Sequence, residues 1–222
     1  MKTVLGLAGI AFLALLGGVA GARSWADLQA YQGRSFMATW EKRADRPAAA
    51  EWALAQTRLE RALALDSGDA ALTEDLGRLH EMRTRAGLPE SAGPASATEL
   101  GRALDYLRQS LARRPTSPYT WANIAVVKSR LGEFDEELFR AIANAARLGP
   151  WEPGVQFALA DLGLGNWARL PRATQDIVQG AIGRGLKRQD QALFDLAAGY
   201  GRMSVMCATP GVARSKLAIR CI

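Results

Sequence analysis

The chain has 222 residues and a formal net charge of +6, and 49% of its residues are apolar. Ala and Leu dominate the apolar residues while Val, Ile and Thr are sparse, so the composition favours an all-α fold over a β-rich one. The basic excess lies in residues 169–222, and because no nucleic-acid-binding motif accompanies it, nucleic acid is not an expected partner.

Residues 3–22 form an uncharged apolar segment, TVLGLAGIAFLALLGGVAGA, between Lys2 and Arg23. Twenty helical residues span about 30 Å, the thickness of a bilayer's hydrocarbon core, which favours a membrane anchor over residues 1–23. A cleaved signal peptide is the alternative, with the small residues 20–22 as its cleavage site. Either segment exports the rest of the chain if the Lys2 end stays in the cytoplasm, but the basic residues from Arg23 onward leave the orientation open.

Apolar residues at three- and four-residue spacing predict successive helices after the apolar segment, with no convincing strand. Residues 24–46 are predicted to be a juxtamembrane helix, 47–170 a repeat region, and 171–222 a helical cap with a basic tail. The predicted helices after residue 46 cover residues 52–65, 70–85, 98–111, two in 117–153, 153–164, 171–186 and 189–206. Asp, Ser and Gly at residues 66–69, and Gly-Glu-Phe at 132–134, predict the turns between consecutive helices.

Parts of residues 50–170 resemble tetratricopeptide repeats, in which small residues let two helices of a pair approach closely. In first helices the matching positions are Thr73, Leu76, Gly77 and His80, and then Trp121, Ile124, Ala125, Gly132 and Phe134. In second helices they are Ala103, Leu107, Ser110 and Pro115, and then Ala141, Ala145, Leu148 and Pro150. No single repeat is complete. The resemblance implies a helical-repeat solenoid whose concave face holds a protein partner.

A second resemblance is carried by "SPYTWANIAVVKSRLGEFDEEL", by "AARLGPWEPGVQ" and by a later "NWARL". With the N-terminal apolar segment, these strings are similar to the VpsP family, proteins encoded among bacterial exopolysaccharide biosynthesis genes. The best match is the string at residues 148–153. The resemblance implies an accessory protein of polysaccharide assembly or export at a Gram-negative inner membrane. It supplies no catalytic residues, so neither an enzymatic activity nor a cofactor is expected.

Four residues are candidates for binding. Asn123, Lys128 and Arg130 lie on one predicted first helix and would line a concave face. Trp151 stands between two prolines where the repeat does not require it, so it is either a stacking platform for a sugar or a packing residue.

The remaining chemistry-bearing residues favour structural roles. Cys207 and Cys221 predict a disulfide in an exported domain, or else two unrelated buried thiols, and they are too few to predict a metal site. His80, the single histidine, occupies a packing position of the repeat pattern. Acids at 133 and 135–137 are predicted to begin a helix, where the helix dipole favours negative charge.

The leading functional hypothesis is a non-enzymatic, membrane-tethered scaffold in exopolysaccharide biosynthesis or export. It would bind protein components of that machinery at the inner membrane, with its soluble part in the periplasm and its basic tail near lipid headgroups or an acidic polysaccharide. The alternatives are a glycan-binding module, or a general cell-envelope assembly factor that the sequence does not separate from the scaffold.

Overall fold

The computed structural model describes residues 2–43, 48–85 and 94–221. These residues form α-helices, short 3-10 turns and connections, with no strand among them, so the predicted all-α class is confirmed. The helices are α1 (Lys2–Arg43), α2 (Ala49–Leu65), α3 (Ala70–Arg85), α4 (Pro94–Arg113), α5 (Pro118–Leu131), α6 (Glu136–Leu148), α7 (Pro153–Gly165), α8 (Arg172–Gly199) and α9 (Met203–Cys207). The chain divides into two compact units, unit 1 (Met1–Arg113) and unit 2 (Arg114–Ile222), inside the predicted repeat region.

The helix α1 is continuous, so the predicted division between residues 23 and 24 lies inside it. Apolar side chains are exposed along its first half, at Phe12, Leu13, Leu15, Leu16 and Val19. Its second half, predicted as a juxtamembrane link, instead places Met37 and Trp40 in the core of unit 1. Within the described part of the chain, no helix is both long enough and apolar enough to span a membrane.

The helices α1 and α2 pack closely at a glycine. A Cβ atom placed on Gly33 would lie 2.7 Å from Cγ of Leu59 and 3.3 Å from the carbonyl oxygen of Ala55. Both of these α2 residues are fully buried, and the buried Trp52 and Ala62 continue the same face at three- and four-residue spacing. The amphipathic face of α2 therefore contacts α1 where α1 has no side chain.

The helices α3 and α4 repeat this contact. A Cβ atom placed on Gly77 would lie 2.7 Å from Cγ of Leu107 and 3.1 Å from the carbonyl oxygen of Ala103. In both pairs a glycine of the first helix faces a leucine of the second helix and the alanine four residues before it. The two helix pairs of unit 1 thus share one packing arrangement.

The start of α3 is as predicted, but the start of α4 is not. Asp69 accepts a hydrogen bond from the amide of Ala71 at 2.7 Å and begins α3. The helix α4 begins at Pro94, and Thr98, predicted to begin it, donates its hydroxyl hydrogen to the Pro94 carbonyl at 3.0 Å. Residues 86–93, between α3 and α4, lie outside the described residues.

In unit 2, α5 packs on α6 and α7, and α7 packs on α8. The Ser117 hydroxyl accepts from the amide of Thr120 at 3.2 Å and caps α5. Gly132 ends α5 with φ of 78°, in the left-handed region that glycine adopts without strain. Asp135 then begins α6 by accepting from the amide of Leu138 at 3.1 Å, so the predicted turn between these helices is confirmed.

The helix α8 differs from its prediction. Instead of ending near residue 186, it continues to Gly199 through a kink at Gln189, whose φ of −144° is not helical. The Gln189 side-chain amide donates to the Pro153 carbonyl at 3.0 Å, which ties the kink to the start of α7. The predicted helix over residues 189–206 is therefore the end of α8 followed by the short α9.

The C-terminal segment is fastened to unit 2 at several points. Cys207 and Cys221 form a disulfide with their Cα atoms 5.6 Å apart. Arg220 forms an ion pair with Asp195 of α8 at 2.9 Å, and Ser215 lies 3.3 Å from the Asp190 carboxylate. In the chain-entropy model, closing a loop of about 15 residues contributes roughly 3 kcal/mol.

The close contact at Gly77 predicts that Gly77→Ala lowers the free energy of unfolding by about 1–3 kcal/mol, because the added methyl overlaps the buried Leu107 side chain. Gly101→Ala on α4 is the matched control. A Cβ atom there meets nothing within 4 Å, so the substitution should stabilise its helix by about 0.5–1 kcal/mol. Urea unfolding of both variants checks the prediction, and an equal effect at the two glycines would contradict it.

Candidate functional site

Unit 1 carries a groove of about 460 Å³, within the range of about 300–1,000 Å³ that is typical of ligand sites. We call it the Tyr106 groove. Its lining residues come from α2, α3 and α4 and are all polar or aromatic: Gln56, Glu60, His80, Arg102, Asp105, Tyr106 and Gln109.

His80 of α3 forms the buried part of the Tyr106 groove. Its residue exposure is 1%, and its Nδ1 atom lies 2.6 Å from Oε2 of Glu99 on α4. A carboxylate at this distance places the ring proton on Nδ1, which leaves Nε2 as a hydrogen-bond acceptor. Nε2 has no hydrogen-bond partner among the residues that the structure describes. His80 was predicted to be a packing or surface residue, and its polar edge in a groove was not foreseen.

Two aromatic rings hold the imidazole in place. The ring of Tyr106 stacks on His80 with centroids 5.6 Å apart and 12° between the planes, and Trp52 meets it edge-on at 5.6 Å. Burial lowers the pKa of His80, and the hydrogen bond to Glu99 opposes this shift only in part. The imidazole is therefore neutral near pH 7, which keeps the Nε2 lone pair available.

Glu99 is the centre of the charged network beneath the Tyr106 groove. Its side chain is 10% exposed, and its Oε1 accepts from Arg83 at 3.3 Å and from Arg102 at 3.2 Å. The guanidinium of Arg83 also lies over the ring of Trp52, 4.3 Å from the centroid. With two arginines on one oxygen and His80 on the other, this carboxylate fixes α3 and α4 against each other.

The side chains around His80 include two carboxylates, Glu60 and Asp105, beside the donors of Arg102, Gln109 and Tyr106. Asp105 and Gln109 are exposed, and neither their side chains nor the Tyr106 hydroxyl has a hydrogen-bond partner in the described parts of the chain. Glu60 accepts from the Gln56 amide at 2.6 Å through one oxygen. Burial raises the pKa of Tyr106, and the charge of Glu60 raises it further. The Tyr106 groove therefore carries the negative charges of Glu60 and Asp105 near the neutral Nε2 acceptor of His80.

Lys128, a predicted binding residue, is held inside unit 2. Its side chain is 2% exposed, and Nζ lies 2.7 Å from Glu133, 2.9 Å from Asp135 and 3.0 Å from Glu137. Burial disfavours the ammonium charge, but these three hydrogen bonds outweigh burial and raise the pKa of Lys128. Its hydrogen bond in turn lowers the pKa of Asp135. The ammonium is fully engaged, so we leave Lys128 out of the candidate site.

The acidic residues at 133–137 therefore have a second role that the sequence reasoning missed. Asp135 does begin α6, as predicted, and with Glu133 and Glu137 it also encloses the Lys128 ammonium. The sequence signal was a lysine in the last turn of one helix, followed across a short turn by several acids.

The other predicted binding residues are not part of the Tyr106 groove. Asn123 is half-buried and Arg130 is exposed on α5, and each has an interaction within the molecule. Trp151 is 58% exposed between α6 and α7, with Nζ of Lys187 5.4 Å from the centroid of its ring. The three predicted binding residues on α5 therefore do not form one accessible surface. Trp151, in contrast, is accessible.

In residues 2–43, 48–85 and 94–221, no three His, Cys, Asp or Glu side chains are grouped so that they could hold a metal ion.

Comparison of the chain with family models gives no match, and comparison with curated proteins gives no significant match. The resemblances to tetratricopeptide repeats and to the VpsP family therefore stay predictions from the sequence.

The Lys128 cluster predicts that Lys128→Met lowers the free energy of unfolding by about 1–3 kcal/mol, because three carboxylates lose their cation and repel one another. This range is below that for a fully buried pair, since the carboxylates are partly solvated. Arg140→Met, at an exposed position of α6, is the control, with an expected change within about 0.5 kcal/mol. Denaturant unfolding at pH 7 measures both variants. A loss for Lys128→Met no larger than for Arg140→Met would refute the assignment.

The pKa of His80 predicts a pH-dependent stability. The folded value lies below the unfolded value of about 6.5, because burial disfavours the imidazolium. The stability from the neutral, buried ring is present above the unfolded pKa, and it is lost as the pH falls through 6.5 towards the folded pKa, since the unfolded chain binds the proton first. Stability should fall by up to about 1.4 kcal/mol per pH unit from this residue.

The control variant is His80→Asn, which keeps a donor towards Glu99 but does not titrate. Urea unfolding at pH 7.5, 6.5 and 5.5 should give a steeper decline for the wild type than for the variant. Parallel declines would show that another group is responsible.

Proposed function

We propose that this chain is a non-enzymatic scaffold that docks protein components of bacterial exopolysaccharide biosynthesis or export. The observation that carries the proposal is the shared contact of the helix pairs in unit 1, in which Gly33 faces Leu59 and Gly77 faces Leu107. Repeated helix pairs of this kind support a tetratricopeptide-like array, whose general use is to hold a partner protein. The Tyr106 groove, lined by α2 of the first pair and by α3 and α4 of the second pair, is our candidate docking surface.

Attachment to the inner membrane is a further part of the proposal. It is supported by the uncharged sequence of residues 3–22 and by the exposed apolar side chains of α1, among them Phe12, Leu13 and Leu15. Adjacent exposed apolar side chains are unfavourable in water and favour a lipid or protein environment. A periplasmic location for the remaining residues suits the Cys207–Cys221 disulfide, since disulfides persist in oxidising compartments.

One alternative function has its own structural support. Trp151 exposes more than half of its surface beside Lys187, an arrangement that could stack on a sugar ring of an acidic polysaccharide. In that case the chain would be a glycan-binding module. A general cell-envelope assembly factor would use the same helix pairs as the scaffold and differ only in its partner.

Co-purification tests the proposed function. Full-length tagged protein, extracted from membranes of the source bacterium in detergent, should enrich glycosyltransferases or export components at least about tenfold over a tagged control ending at residue 43. Absence of enrichment contradicts the scaffold. Saturable binding of the organism's own polysaccharide that Trp151→Ala abolishes, with helicity intact, would instead establish the glycan-binding alternative.

A further inference from the structure

We propose that the Tyr106 groove binds a basic side chain, a Lys ammonium or an Arg guanidinium, presented by the docked protein. This inference rests on the proposed docking function and names the chemistry of the partner. It is carried by the unpartnered Nε2 of the buried His80, which lines the groove together with the carboxylates of Glu60 and Asp105.

The donor and acceptor balance of the groove selects the ligand. Nε2 of His80 accepts only, because Glu99 holds the ring proton on Nδ1. Asp105 and the second oxygen of Glu60 are also acceptors only. Lys and Arg side chains carry several donors and no acceptor, so each can satisfy these groups together. A carboxylate ligand would instead face the negative charge of Glu60 and Asp105.

The single cation on the groove does not reverse this preference. Arg102 donates to Glu99 at 3.2 Å, so part of its charge is compensated by a carboxylate below the groove. Arg83 and His80 share the same carboxylate. The two lining carboxylates, Glu60 and Asp105, therefore outnumber the one lining arginine, and electrostatic complementarity favours a positive ligand.

His80 sets the geometry of the site as well as its polarity. Glu99 fixes one edge of the ring, Tyr106 stacks on one of its faces, and Trp52 meets it in an edge-on contact. A fixed acceptor does not need to be ordered when the ligand arrives, which reduces the entropic cost of binding. His80 is thus a binding residue, while Glu99 positions it through Nδ1.

The test uses full-length protein in a zwitterionic detergent and a fluorescein-labelled peptide, acetyl-GKGKGKG-amide, followed by fluorescence anisotropy at pH 7.5 and low salt. We expect saturable binding to the wild type. The same peptide with every lysine acetylated has lost its charges and should bind at least about tenfold more weakly.

Two variants locate the binding. Asp105→Asn removes the charge of an exposed carboxylate that has no described partner, and His80→Asn removes the Nε2 acceptor while keeping a donor towards Glu99. Each should weaken peptide binding about tenfold, the usual effect of losing one charged hydrogen bond. Asp27→Asn, at an exposed acid on α1 outside the groove, is the matched control and should leave the affinity unchanged. Circular dichroism checks that each variant keeps its helicity.

Several outcomes would overturn the inference. No binding to the wild type, equal binding of the acetylated peptide, or equal weakening by Asp105→Asn and Asp27→Asn would each reject a specific site for a basic side chain. So would displacement of the peptide by cellotetraose, a neutral polyol, at equal or lower concentration. The co-purification separates the two proposals: partner enrichment that persists in Asp105→Asn and His80→Asn keeps the scaffold and rejects this occupant. Specific peptide binding without partner enrichment keeps the site and rejects the scaffold.

Discussion

Close packing of two helices at a glycine is the constraint on which unit 1 depends. The contact of Gly77 with Ala103 and Leu107 fixes how α3 lies on α4. His80 follows Gly77 by three residues and therefore lies on the same face of α3, one turn further along. The contact that buries Leu107 is thus also what brings His80 to the side chains of α4. The candidate site is a consequence of core packing, and a shift at the glycine would move both.

The polar network around Glu99 gives this contact its specificity. Apolar side chains tolerate sliding and repacking, whereas a buried carboxylate requires its partners at defined positions. Here one carboxylate receives His80 on one oxygen and two arginines on the other, and each partner is oriented by an aromatic ring or by its own helix. The network leaves one polar atom, Nε2 of His80, without a described partner at the surface of the groove. Because this acceptor lies at the groove surface, a donor of a ligand can reach it without displacing an internal partner.

The sequence predicts the helices of this chain better than it predicts the contacts between them. The spacing of Leu76, Gly77 and His80 indicated a helix that packs closely on a neighbour, and both the helix and the close contact are present. The partner of His80 could not be predicted, because Glu99 follows a long connection and meets His80 only once α3 and α4 are aligned. Propensity acts within a helix, whereas such pairing depends on the rotation of one helix about another.

The N-terminal helix shows the same limit. Its sequence changes from an uncharged segment to an amphipathic one near residue 23, and that change predicted an anchor or signal segment followed by a juxtamembrane helix. One helix can cover both segments, since neither contains proline, the residue that most strongly interrupts a helix. The amphipathic half packs on α2 at Gly33. This contact was not predicted, because no complete repeat pattern covers these residues.

A continuous α1 has a consequence for the proposed tether. A helix rises 1.5 Å per residue, so Gly33 lies about 17 Å beyond Ala22 along a rigid axis. Because α2 packs on α1 at Gly33, its place along that axis is set by packing and not by a flexible linker. If residues 3–22 lie in the bilayer, the first helix pair of unit 1 is held at a defined height above the membrane surface. A scaffold built in this way presents its partner at a fixed distance from the membrane, and lengthening α1 by whole turns would raise that distance in steps of about 5.4 Å without altering the packing at Gly33.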